Sequence, residues 1–180
     1  MNLVEIPPPL RPLTDYLSQL VSRPPLDELI VRLRATNVTL DDVKAYVHFQ
    51  RQDFCCTLIA EGRWYRLEVR CWRNGQRSPV IEQGSSAGVF KVLAGICHLT
   101  MYDYAPNGQM LHWHPTPQPA GALVVCQGES LSRISNLHPL GHDLVTLHVY
   151  APPPKPEPRE VQPKATTAEN PDSIAFPFTD

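Results

Sequence analysis

The stretch RSPVIEQGSSAGVFKVLAG, Arg77 to Gly95, carries two strand-like apolar runs on either side of a glycine and serine turn. From Cys55 onward the chain holds about eight such runs, namely CCTLIAEG, WYRLEVRCW, SPVIEQ, AGVFKVLAGICHLTMYDY, QMLHWH, GALVVCQG, LSRISN and LVTLHVYA. Turn signals such as Asn74-Gly75 separate the runs, and no helical pattern lies among them. The sequence therefore predicts a closed or double-sheet antiparallel barrel.

Before Cys55 the apolar spacing is helical. Three faces recur along the chain: Leu13, Tyr16, Leu17 and Leu20, then Leu26, Leu29, Ile30 and Leu33, then Val43, Tyr46 and Val47. We predict three short helices between Leu10 and Phe49. The third begins at Thr39, which can cap the helix while Asp42 answers as the acidic partner of a capping box.

The proline content marks the ends of the folded region. Of the 20 prolines, 11 lie in two stretches, IPPPLRP near the start and APPPKPEPREVQPKATTAENP after residue 150. We therefore predict an N-terminal helical segment at residues 1–50, packed on a barrel at residues 51–154. A Pro-rich tail at residues 155–180 is expected to be extended and flexible.

Size and charge exclude several classes of protein. A chain of 180 residues can bury a single core without a disulfide or metal staple. The formal charge is -2 and no Lys/Arg stripe is present, so we expect no nucleic-acid partner. No apolar run approaches the length of a membrane span, and no signal peptide is recognisable, so we expect no membrane partner. Five cysteines, mostly inside apolar runs, indicate reduced thiols and a cytoplasmic location.

Four motifs follow one another in a fixed order: Cys71-Trp72 before Gly75, then Ser78-Pro79, then FKVLAG ending at Gly95, and finally LHVY ending at Tyr150 before a proline run. Their order and spacing resemble the cysteine dioxygenase (thiol dioxygenase) family of the cupin superfamily, over roughly residues 40–154. The resemblance implies a mainly β fold, a cupin-type double-stranded antiparallel β-barrel or jelly roll, preceded by short N-terminal α-helices.

The resemblance also implies a missing iron site. The family holds non-haem iron with three histidines, and the matching positions here are Ile81, Gln83 and Ser132. Ferrous iron needs nitrogen or carboxylate ligands that converge on one point, which an alkyl, an amide and a hydroxyl side chain do not supply. We therefore expect no metal at these positions, and instead a pocket formed by Ile81, Gln83, Ser132, His148 and Tyr150.

Other parts of the family's site have counterparts in this chain. Its Ser-His-Tyr relay corresponds to Thr146, His148 and Tyr150, alternate residues that share one inward face of a strand. This relay either holds a polar ligand or stabilises the barrel as a buried hydrogen-bonded pair. The arginine that pairs with the substrate carboxylate corresponds to Arg51. The family's crosslinking cysteine corresponds to Gly88, so no thioether with Tyr150 is expected.

A replacement metal site is conceivable at HWH. His112 and His114 lie on one face of a predicted strand, and His98 or His148 could provide a third nitrogen. The alternative interpretation is a solvated strand face at an edge, because Pro115, Pro117 and Pro119 follow directly.

Three functions remain open from the sequence. The first is a cysteine dioxygenase-like cupin that has lost its iron and binds a small molecule or acts as a regulatory module. The second is an active thiol dioxygenase that oxidises cysteine or a related thiol to the sulfinate with iron(II) and O₂. The third is an interaction protein whose Pro-rich tail binds a protein partner in a polyproline II conformation. The first hypothesis requires no cofactor.

Overall fold

The computed structural model describes residues 5–82, 86–127 and 131–154. A 3-10 helix at Pro8–Leu10 leads into α1 (Arg11–Ser18), which is followed by α2 (Leu26–Ala35). In α2, acidic residues occupy the first turn and arginines the last, which favours the helix through its dipole. The short N-terminal α-helices are thereby confirmed.

The third predicted helix is wrong in type, because its segment forms only a 3-10 helix at Lys44–Tyr46. The Asp42 carboxylate accepts hydrogen bonds from the backbone N–H of Thr39 at 2.8 Å and from its hydroxyl at 2.7 Å. The predicted contact between Thr39 and Asp42 therefore closes a turn, and no α-helix follows it.

Ten strands follow the helices in the described part of the chain. They are β1 (Cys55–Gly62), β2 (Tyr65–Trp72), β3 (Ile81–Glu82), β4 (Ala87–Ala94), β5 (Ile96–Tyr104), β6 (Met110–His112), β7 (Thr116–Pro119), β8 (Leu123–Gln127), β9 (Leu131–Ser135) and β10 (Leu144–Ala151). All pairings are antiparallel. One sheet has the order β1-β2-β10-β4-β8, and the other has the order β3-β9-β5-β6 with β7 also paired to β5.

Two details of the strand assignment differ from the sequence prediction. The long run AGVFKVLAGICHLTMYDY is two strands, because the chain turns at Gly95 with a φ of 79°. A side chain could not replace that glycine, since a Cβ there would lie 2.5 Å from the carbonyl oxygen of Asp143. The second difference is β7, a short strand that contains two prolines and that the sequence did not predict.

The five-stranded sheet β1-β2-β10-β4-β8 lies between the helices and the second sheet. Its outward residues share one hydrophobic cluster with the helices, represented by Leu13 and Leu33 from the helices and by Val69, Leu147 and Val149 from the strands. Its inward residues face the barrel interior, where a second cluster includes Trp72, Phe90, Val92, Cys97 and Ile134. The helical segment therefore shares its core with the barrel.

The predicted boundaries at residues 50 and 154 stay predictions, and the Pro-rich tail from residue 155 lies outside the described residues. Among the helices of the described ranges, none is long and apolar enough to cross a membrane.

Candidate functional site

A small cavity lies inside the barrel between the two sheets. Its lining includes Arg70, Ile81, Cys126, Ser132, His148 and Tyr150. Its volume is about 20 Å³, which is room for about one water molecule. A larger ligand can therefore place only a small head group here unless neighbouring side chains move.

The structure brings together four of the five residues that the sequence assigns to a pocket. Ile81 on β3 and Ser132 on β9 are directly opposite one another in the register of the two strands. His148 and Tyr150 reach the same cavity from β10 in the opposite sheet. Gln83 lies outside the described residues.

Thr146, His148 and Tyr150 form a continuous hydrogen-bonded relay. The Tyr150 hydroxyl oxygen lies 3.0 Å from Nδ1 of His148, and Nε2 of His148 lies 2.8 Å from Oγ1 of Thr146. The indole N–H of Trp72 donates to the same Oγ1 at 3.2 Å. The Thr146 hydroxyl is also 3.4 Å from the carbonyl oxygen of Arg70, so the relay ends on the backbone of β2.

Two proton arrangements are compatible with these distances. If Tyr150 donates to Nδ1, then Nε2 of His148 carries the proton and donates to Thr146, whose own proton goes to the Arg70 carbonyl. In the reverse arrangement Thr146 donates to Nε2 and Nδ1–H donates to Tyr150. The hydroxyl proton of Tyr150 is then available to a group in the cavity.

The relay is neutral at physiological pH. His148 is 1 % exposed and stacks on the Phe90 ring at 4.7 Å. Burial, with a smaller contribution from the Arg70 charge, lowers the pKa of His148 well below its usual range. Burial likewise raises the pKa of Tyr150, so its phenol stays protonated. The pKa of the buried Cys126 thiol rises to about 11 for the same reason.

A charged group on β2 lies beside the relay, and the sequence analysis did not identify it. The Glu68 carboxylate, 3 % exposed, lies between two guanidinium groups: 3.0 Å from Nε of Arg66 and 2.7 Å from a terminal nitrogen of Arg70. Arg70 also donates from Nε to Glu68 at 2.7 Å. A terminal nitrogen of Arg66 also lies 3.8 Å from the Glu61 carboxylate, so the two arginines are balanced by two carboxylates.

The signal for this group is present in the sequence. Arg66, Glu68 and Arg70 alternate with Leu67 and Val69, and residues two apart on a strand share a face. The register of β2 with β10 places Glu68 opposite His148 and Arg70 opposite Thr146.

Arg70 is the arginine that lines the cavity. Its side chain is 12 % exposed. Burial alone would lower its pKa, but Tyr150 and Glu68 act in the opposite direction and raise it, so the guanidinium stays charged. Arg51, which the resemblance assigns as the carboxylate partner, is exposed and does not line the cavity.

Gly88 lies directly opposite Tyr150 in the pairing of β4 with β10. A Cβ at this position would be 2.8 Å from Cε1 of the Tyr150 ring. The tyrosine ring therefore occupies the space that a side chain at residue 88 would need.

The residues of the cavity do not fit an iron ion. Ile81 has no lone pair, and the Ser132 hydroxyl is a weak ligand for a transition metal. Both nitrogens of His148 are already within hydrogen-bond distance of Thr146 and Tyr150, and Glu68 is engaged by the two arginines. The donors that remain, the Tyr150 phenol and the Cys126 thiol, hold their protons at neutral pH.

The HWH segment lies away from this cavity. His112 and His114 are both exposed, and the His112 ring contacts Tyr102 with ring centres 5.9 Å apart. His98, a predicted third ligand, accepts a hydrogen bond on Nδ1 from the Leu137 N–H at 3.4 Å. In residues 5–82, 86–127 and 131–154, no three His, Cys, Asp or Glu side chains converge as a metal site would require. The replacement site stays a prediction.

No protein-family model matches this sequence. No curated protein matches it either. The fold, however, is similar to that of many solved structures. The protein TT1209 from Thermus thermophilus superposes with a TM-score of 0.52 at 13 % identity, over 62 % of this chain and 95 % of that chain.

Two further structures are similar at lower scores. The Schizosaccharomyces pombe Cnp3 cupin domain has a TM-score of 0.48 at 13 % identity, over 61 % of this chain and 66 % of that chain. A Klebsiella pneumoniae protein with a double-stranded beta-helix domain has a TM-score of 0.47 at 17 % identity, over 61 % of this chain and 81 % of that chain. The mainly β fold class predicted from the sequence is confirmed by the antiparallel pairing of two sheets that follow short N-terminal helices. At these identities the likeness to the solved structures concerns the fold alone.

Proposed function

We propose that this chain is a cupin-type binding module that has lost the iron site of the cysteine dioxygenase family and works without a metal. One observation carries the proposal: Ile81 and Ser132, at the positions of two iron ligands, face each other on adjoining strands and line the cavity beside a charged guanidinium. The cavity therefore offers hydrogen bonds and a positive charge in the place of a metal.

Two contacts support descent from the cysteine dioxygenase family. The relay through Thr146, His148 and Tyr150 has unbroken hydrogen-bond distances. Gly88, at the position of the family's crosslinking cysteine, lies against the ring of Tyr150. A chain with this ancestry keeps the polar residues of β10, while two positions of the metal ligands now carry the alkyl side chain of Ile81 and the hydroxyl of Ser132.

The ligand class follows from the charges and the volume. Arg70 is the charged group of this set that lines the cavity and its guanidinium donates hydrogen bonds, and Tyr150 can donate in one of the two proton arrangements. The cavity has room for about one water molecule, so a ligand places only a head group in it. We propose a small molecule with an anionic, hydrogen-bond-accepting head group such as a carboxylate.

Thermal unfolding in the presence of small carboxylic acids tests this proposal. Acetate, cysteine and 3-mercaptopropionate are suitable probes, and a ligand that binds only the folded state raises the Tm. We expect the increase to disappear in Arg70→Gln and to persist in Arg51→Gln, the matched control from the arginine that the resemblance had assigned. An increase that survives in Arg70→Gln would overturn the assignment of the head group to this cavity.

Metal analysis and oxygen uptake separate this proposal from the enzymatic alternative. Protein expressed with iron supplied should hold less than about a tenth of an equivalent of transition metal, because the donor set is unsuited to it. Near-stoichiometric iron together with thiol-dependent oxygen uptake would favour the active dioxygenase instead. Loss of a biological effect on deletion of residues 155–180, with the barrel still folded, would favour the tail as the functional part.

A further inference from the structure

Two cysteine side chains face each other across the strands β1 and β2, on the side away from the cavity. Cys55 and Cys71 are direct partners in the antiparallel register. Residues in such positions have Cα atoms about 4.5–5.5 Å apart. This separation lies within the range of about 4.4–6.8 Å that a disulfide bond spans.

The surroundings of the two thiols differ. Cys71 is fully buried in the cluster that the helices share with the sheet, whereas Cys55 is half-buried at the edge of that cluster. Burial raises the pKa of Cys71 to about 11, against a smaller opposing effect of a hydrogen bond from the His48 backbone. The amide nitrogen of Gln50 lies 3.8 Å from Sγ of Cys55. Both sulfurs therefore contact the segment around His48 and Gln50, which joins the helices to the barrel.

We propose that Cys55 and Cys71 form an oxidisable pair that closes to a disulfide when the protein meets a peroxide. The half-buried Cys55 thiolate attacks the peroxide, its sulfur takes one oxygen and becomes a sulfenic acid, and the peroxide leaves as an alcohol or water. The Cys71 thiol then displaces that oxygen as water and the S–S bond forms. Overall, the two thiols lose two protons and two electrons, the O–O bond of the peroxide breaks, and its oxygens leave as water and as an alcohol or a second water.

The geometry selects this pair over the other thiols. Cys56 follows Cys55 directly, so its side chain points to the opposite face of the strand. Cys97 and Cys126 belong to the barrel interior cluster and lie on other strands. The bond would link the edge strand β1 to β2 beside the segment at His48 and Gln50, and it would remove the two S–H donors there. It does not involve the cavity, so it stands independently of the proposed function.

Peptide mapping of the full chain tests the proposal. The variant Cys56→Ser leaves Cys55 as the single thiol of the tryptic peptide at residues 52–63, while Cys71 lies in the peptide at residues 71–73. After hydrogen peroxide treatment under native conditions, we expect these two peptides to be linked, with an intact mass about 2 Da lower, and to separate on reduction. A Cys55→Ser variant should show neither the link nor the mass change.

Two results would overturn the proposal. One is a mass gain from added oxygen on Cys55 without any link to Cys71, and the other is a link from Cys55 to Cys97 or Cys126. The mapping variant Cys56→Ser changes only an exposed thiol and leaves the buried Cys71 intact. The test therefore does not depend on a core substitution that could prevent folding.

Discussion

The two faces of the sheet β1-β2-β10-β4-β8 are both buried, yet the residues buried on the outward face are apolar, whereas the inward face mixes apolar side chains with polar and charged ones. On β10 every residue is buried, and Val145, Leu147 and Val149 face the helices while His148 and Tyr150 face the cavity. The outward residues need only volume and apolar character. The polar inward residues each need a particular partner, because a buried polar group without one is costly.

The apolar outward residues therefore contribute mainly to the stability of the fold, whereas the polar inward residues form the candidate site. On the outward face, a substitution should change stability in proportion to the volume that is lost. On the inward face, the result should depend on which partner remains, even where no volume changes. Substitutions on the two faces can therefore test the contrast.

The largest effect is expected at Glu68 on the inward face. Glu68→Gln keeps the volume but removes the one negative charge between Arg66 and Arg70. Loss of one partner from a buried ion group typically costs about 3–5 kcal/mol in the free energy of unfolding, measured by urea denaturation. The double variant Glu68→Leu with Arg70→Met should cost less than Glu68→Gln alone, since it leaves no buried charge on Arg70. A larger loss in the double variant would contradict the partner argument.

On the outward face, Leu147→Ala should cost about 3 kcal/mol in the free energy of unfolding, because Leu147 is fully buried between sheet and helices and the substitution leaves a cavity. Leu58→Ala on β1 is the matched control, since Leu58 is 44 % exposed and should change stability by less than about 0.5 kcal/mol. Equal losses in the two variants would show that the helices do not cover this face as tightly as the structure indicates.

The period-two pattern of the strands, together with the spacing of the motifs, explains which parts of the site could be predicted from the sequence. The family resemblance assigns Thr146, His148 and Tyr150 to a relay, the alternation of strand residues places them on one face, and the structure joins them by hydrogen bonds. The motif positions of Ile81 and Ser132 were likewise found on adjoining strands around one cavity. Local pattern was sufficient wherever a single strand, or a motif with fixed spacing, determined the placement.

Features that depend on pairing between distant strands were not predicted. The alternation of Arg66, Glu68 and Arg70 is visible in the sequence, but the position of this charged group beside the relay depends on the register of β2 with β10, which is a long-range contact. The end of β4 and the start of β5 around Gly95 were not predicted, because apolar residues continue on both sides of this glycine. A strand with alternating prolines, such as β7, has weak local preference and exists as an edge partner of β5.

Within the relay, Tyr150→Phe should cost about 1–3 kcal/mol in the free energy of unfolding. The ring and its packing are retained, but Nδ1 of His148 loses the hydroxyl 3.0 Å away and stays buried. Tyr104→Phe, at a tyrosine that is 46 % exposed on β5, is the control and should be nearly neutral. If both variants matched the wild type, a water molecule in the cavity would have to satisfy the imidazole instead.

The smallest effect is a pH dependence from His148. Its pKa is lowered in the folded state, so the unfolded chain binds a proton at a higher pH than the native protein does. The stability from the neutral imidazole is present above the unfolded pKa of about 6.5 and is lost as the pH falls below it.

Between pH 7.5 and 5.5 we expect this group to contribute a loss of about 1.4 kcal/mol, measured as the difference in pH dependence between wild type and His148→Gln. The neighbours of His148 are Thr146, Tyr150, Phe90 and Arg70, and Glu68 lies opposite it on β2. The pKa values of Tyr150 and Arg70 are both raised, so neither group changes protonation in this range. An unchanged pH profile in His148→Gln would mean that the imidazole can be protonated within the fold, with the Glu68 carboxylate opposite it as the nearest acidic partner on β2.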